Sequence, residues 1–134
     1  MHQPNFKASS ILDKYKSAAV KTVDNTGQML FIFDEVIKLL HQAKKAVEIE
    51  DYELKYKILN KIVDVFMILR SGLDTESHAI ITLLDRFYKT MVNNINNING
   101  GNTSTEDVSI LIESLKIVKN SIQEAKEEST STSD

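Results

Sequence analysis

From Asp24 onward, apolar residues recur as Met29, Phe33, Val36, Leu40, Ala43 and Val47, at the 4-3-4-3-4 spacing that puts them on one face of an α-helix. The same rhythm returns three more times. Leu54, Ile58, Ile62, Val65 and Leu69 mark a second helix over about 51–70, which Ser71-Gly72 ends. Ile80, Leu84, Phe87, Met91 and Ile95 mark a third, over about 75–94, and Val108, Leu111, Leu115, Val118 and Ile122 mark a fourth. The chain holds four glycines and one proline, and Pro4 lies outside every periodic segment. With so few breakers, strands and their turns have little to be built from, so the chain is predicted to be all-α. Four long helices with short connections predict an antiparallel four-helix bundle, with an additional short N-terminal helix or segment around Ile11, Leu12, Tyr15, Ala18, Ala19 and Val20.

The helix ends are also readable. Asp24 suits an N-cap for the first long helix. The stretch NNINNINGGNTSTED reads as a polar linker closed by a start signal, in which either Thr103 with Glu106 or Ser104 with Asp107 forms a capping box. A chain of 134 residues fits one core, so residues 1–126 are expected to be a single helical domain. The tail EESTSTSD over 127–134 has nothing to bury and is expected to be disordered.

Composition excludes several classes of function. A net charge of −3 argues against general nucleic-acid binding. Lysines at 44, 45, 55, 57 and 61 interleave with Glu48, Glu50, Asp51 and Glu53, and read as a solvated face. There is no cysteine, hence no disulfide or thiolate chemistry. No apolar run nears the roughly 20 residues that span a bilayer. The N-terminal MHQPNFKASS has no hydrophobic signal core, so a cytoplasmic protein is expected.

Catalysis finds no footing. A di-iron bundle needs Glu-x-x-His pairs on facing helices, and there are none. His2 is terminal, His41 falls on a polar face, and His78 has only Asp74 nearby. Gly100-Gly101 follows no strand, so it is not a phosphate loop. We expect no enzyme, metal or cofactor.

The apolar faces are unusually wide. At about 100° per residue, the fourth helix shows an arc of roughly 120°, whereas the first covers roughly 200° and the third roughly 180°. Ile110 and Ile117 lie outside the arc of the fourth helix, one above the other on its far side. The plain reading is that central helices are covered on two sides. The alternative is that part of this surface forms grooves for a partner.

The order of short motifs resembles that of the FliS-type flagellin export chaperones. Tyr15, Val20 and Thr22 stand at the family's opening intervals, with Asp24 in place of the usual capping Ser. Ile32-Phe33-Asp34-Glu35 occupies the place of a Leu-Tyr-Asp-Gly motif, followed by Ala43, Lys44 and Ala46. Leu73, Asp74 and Glu76 match Leu-Asp-x-Glu, and Tyr88 and Met91 match Tyr-x-x-Met. The departures are Asn25 for Pro, Glu35 for Gly, no Gly pair after Leu-Asp-x-Glu, and no Trp in the last helix. These suggest an altered client surface.

The resemblance, over about residues 15–122, implies a non-enzymatic cytoplasmic chaperone. It would bind the disordered C-terminal segment of flagellin, prevent premature polymerisation and support type III export. The client-binding residues it suggests, with the wide faces, are Tyr15, Leu30, Phe33, Ile37, Leu73, Tyr88, Met91, Ile110 and Ile117. Further partner candidates are the flagellar export gate and a second copy of the chain, with no nucleic acid and no membrane insertion. The competing reading is a regulatory or self-associating helical bundle. A phosphotransfer domain, with His41 near Lys38, Lys44 and Lys45, is the less favoured form of it.

Overall fold

The computed structural model describes residues 26–73 and 79–132. These form four helices: α1 over Thr26–Glu48, α2 over Tyr52–Ser71, α3 over Ala79–Asn99 and α4 over Thr105–Thr132. Asp24, Tyr15 and the Asp74–His78 pair lie outside the described residues.

Each connection has a local chemical cause. At the end of α1 the Asp51 N–H donates to Ala46 O at 2.8 Å and the Glu50 N–H to Val47 O at 3.0 Å. This is the Schellman pattern, with Glu50 left-handed at φ 60 where glycine is usual. Asp51 then caps α2 by accepting from the Leu54 N–H at 3.1 Å. Of the two candidate capping boxes, Ser104 with Asp107 is the one that forms. The Asp107 N–H donates to Ser104 Oγ at 3.1 Å, and the Ser104 N–H to Asp107 Oδ2 at 3.0 Å.

The helices run antiparallel in the spatial order α4–α1–α2–α3. Lys119 meets Asp34 at 2.6 Å across α4 and α1, and Arg70 meets Asp85 at 2.7 Å across α2 and α3. α1 packs on both α4 and α2, and α2 on both α1 and α3, while the backbones of α3 and α4 scarcely approach each other. The core sits where side chains of all four converge. Phe33, Phe66 and Tyr88 are fully buried, and Phe33 stands edge-on to Tyr88 with ring centroids 6.2 Å apart. Val108, Leu111, Ile112 and Leu115 complete the core from α4.

Three expectations need correction. The Asn-rich stretch is not a linker up to its glycines, because α3 continues to Asn99. Ile95 is fully buried and Ile98 packs on the core, and that burial outweighs the modest helix propensity of asparagine. Lys55 is not on a solvated face. It is 4% exposed and donates to Asn99 Oδ1 at 3.3 Å, while Asn99 Nδ2 donates to Asn60 Oδ1 at 3.2 Å. The tail does not stop being ordered at Lys126, since α4 runs on to Thr132. Extending an established helix costs little once its nucleus exists, and Gln123 Nε2 bridges to Glu127 at 3.1 Å.

Candidate functional site: the α4 outer face and the α3/α4 side

The wide arc of α1 is consumed by packing. Leu30, Ile32, Phe33, Val36, Leu39, Leu40, Ala43, Ala46 and Val47 are all buried, and all but Leu30 and Ala46 belong to the central core. The expected client-binding residues therefore separate into groups. Phe33, Tyr88 and Met91 come together in the core, and Leu30 is buried outside that cluster, so none offers its side chain to a partner in this conformation. Ile37 and Leu73 are partly buried against the same core. Tyr15 lies outside the described residues.

Ile110 and Ile117 are different. They are 57% and 64% exposed, on the face of α4 turned away from Val108, Leu111 and Leu115. Seven residues is close to two helical turns, so the two side chains align along the axis. Val118 and Ile122, partly buried, continue the core stripe of α4 toward its C-terminal end. Across the α3/α4 side stands Leu83, 56% exposed, with Phe87 and Ile98 partly buried on the same helix. Because α3 and α4 scarcely meet, this side of the bundle is apolar and not closed by a neighbouring described helix.

Sequence reasoning did not single out Leu83. It sits at the edge of the apolar arc of α3, and only the weak α3–α4 approach distinguishes an edge residue from a core one. Phe31, which lies outside the apolar arc of α1 in the sequence, and Ile49, Tyr52, Tyr56 and Met67 are further exposed apolar residues.

The side chains this surface presents are apolar. Among the described residues no three His, Asp or Glu side chains are grouped so as to hold a metal ion. His41 is exposed, and Lys38 near it is paired with Glu35 at 3.0 Å. No described helix is long and apolar enough to cross a membrane.

A family profile described as Flagellar protein FliS matches residues 8–129, nearly the whole chain. The chain belongs to the FliS family. FliS proteins are flagellar export chaperones and bind flagellin, which fits an all-helical bundle with an apolar side that no described helix closes. A search of curated proteins finds no match to the chain.

Proposed function

We propose that this FliS-family protein is a cytoplasmic chaperone that holds the C-terminal segment of flagellin against the α4 outer face and the open α3/α4 side. In this reading it keeps subunits from polymerising and delivers them to the type III export apparatus. The observation that carries the proposal is the exposed, axially aligned pair Ile110 and Ile117 beside a side of the bundle that α3 and α4 do not close. A flagellin terminus without its polymer neighbours is an amphipathic helix former lacking a partner, and a groove supplies one. Ordering such a segment costs roughly 2–5 kcal/mol. Burying the remaining exposed surface of Ile110, Ile117 and Leu83 contributes roughly 1–2 kcal/mol each, of the same order as that cost. We further propose that the chain before α1, with Ile11, Leu12 and Tyr15, covers part of this face in the free protein and is displaced by the client.

The test changes Ile110 and Ile117 to Asp together. Stability should move by no more than about 0.5 kcal/mol per site, as for surface substitutions. Affinity for a flagellin C-terminal peptide, measured by calorimetry, should fall at least tenfold, about 1.4 kcal/mol. Unchanged affinity removes this face from the site.

A further inference from the structure

The end of α3 carries a chemistry that is independent of the flagellin reading. Asn99-Gly100 is the one Asn-Gly pair in the chain. With no Cβ to hinder it, a glycine nitrogen is the backbone group best able to attack the asparagine side chain before it. The reaction balances with solvent alone. Base takes the Gly100 N–H proton, and the nitrogen bonds to Asn99 Cγ. The Cγ–Nδ2 bond breaks and ammonia leaves, which closes a succinimide ring. Water then opens the ring at either carbonyl, giving aspartate or isoaspartate.

In the folded chain the groups that must move for this step are held. The Gly100 N–H donates to Asn96 O at 3.2 Å, which turns the nucleophile back along the helix and away from Asn99 Cγ. The Asn99 side chain is buried and fixed at both ends: Oδ1 accepts from Lys55 Nζ at 3.3 Å, and Nδ2 donates to Asn60 Oδ1 at 3.2 Å. Thr103, also buried, pins the turn that follows, with Oγ1 donating to Ile98 O at 2.6 Å. The turn does not require a glycine at 100. Its φ is not positive, and a Cβ there would meet Asn96 O at 3.5 Å, an ordinary contact.

We propose that Asn99 is a conformationally gated deamidation site. It is protected while the end of α3 is docked on Lys55 and Asn60, and it is converted irreversibly when that end opens. The isoaspartyl product carries the main chain through one extra carbon. The end of α3 then no longer returns to the same register against Lys55, so each opening that reacts leaves a lasting mark on the chain.

The test is peptide mapping by mass spectrometry of the full chain held at mildly alkaline pH, with methylation by an isoaspartyl methyltransferase as a second readout. The natural chain in guanidinium chloride should deamidate at Asn99 at least about tenfold faster than the folded chain, which reacts only from its open fraction. Thr103→Val keeps the shape of the side chain and removes its hydrogen bond. It should speed the folded-state reaction about fivefold, as for one lost hydrogen bond, with unchanged helical circular dichroism. Asn60→Ala should act in the same direction. Gly100→Ala should suppress the reaction in both folded and denatured chains. Equal rates in the folded and denatured natural chain overturn the proposal, and that comparison does not depend on any variant folding. So does a rate unchanged in both Thr103→Val and Asn60→Ala, or one undiminished in Gly100→Ala.

Discussion

Glu50 shows what a single residue contributes to this bundle. The turn from α1 to α2 needs a left-handed residue at the position that donates to Val47 O, and the chain places a glutamate there at φ 60. For a residue with a Cβ, that conformation costs about 1–2 kcal/mol. Glycine removes the cost but gives back about 0.5–1 kcal/mol through the greater freedom of the unfolded chain. Glu50→Gly is therefore expected to raise stability by about 0.5–1 kcal/mol in chemical denaturation. A lower denaturation midpoint would show that the Glu50 side chain makes a compensating contribution. Lys55 makes the opposite point. It reads from sequence as one more solvated lysine, yet it is buried against Asn99, because its neighbours Leu54, Ile58 and Leu59 turn it toward the end of α3.

At the scale of an element, α4 carries the clearest local signals. Ser104 and Asp107 satisfy each other's backbone N–H, so Ser104→Ala is expected to lower stability by about 0.5–2 kcal/mol. An unchanged melting temperature would assign the start of α4 to packing by Val108 and Leu111 instead. At the other end, α4 continues past Lys126 with no apolar side chain among residues 127–134. Removing 127–134 should leave the melting temperature unchanged, since helix without tertiary contact contributes little. Far-ultraviolet circular dichroism should lose only the signal of those few residues. α3 shows how burial extends a helix past its propensity. Its final asparagines stay helical because Ile95 and Ile98 are anchored in the core.

For the whole molecule, the arrangement α4–α1–α2–α3 among the described helices leaves the inner pair covered on two sides and the outer pair each with a main neighbour on one side only. Hydrogen exchange on the full chain tests the proposed role of residues 1–25 at this scale. Amides before α1 should exchange faster than those of the four helices, and should change further when flagellin peptide is added. Equal protection throughout, with no response to the peptide, would remove that segment from the mechanism.

The Asp51 cap and the choice of Ser104 with Asp107 came from the structure, whereas helical periodicity, the scarcity of breakers and the start signal within Thr103–Asp107 determined the number of helices, the short turns and therefore the antiparallel order. These are local properties, set by backbone geometry within a few residues, so they are legible without a partner in view. The order and spacing of the short motifs likewise placed the chain in its family. Which apolar residues would be core was decided only by tertiary packing. Phe33 and Ile117 are equally apolar in the sequence, yet one is sealed between α4, α2 and the ring of Tyr88, and the other stands free. A wide apolar arc reports how much surface seeks cover, and neighbouring helices decide how much of it they supply. α1 has two such neighbours, while the outer face of α4 has none among the described helices.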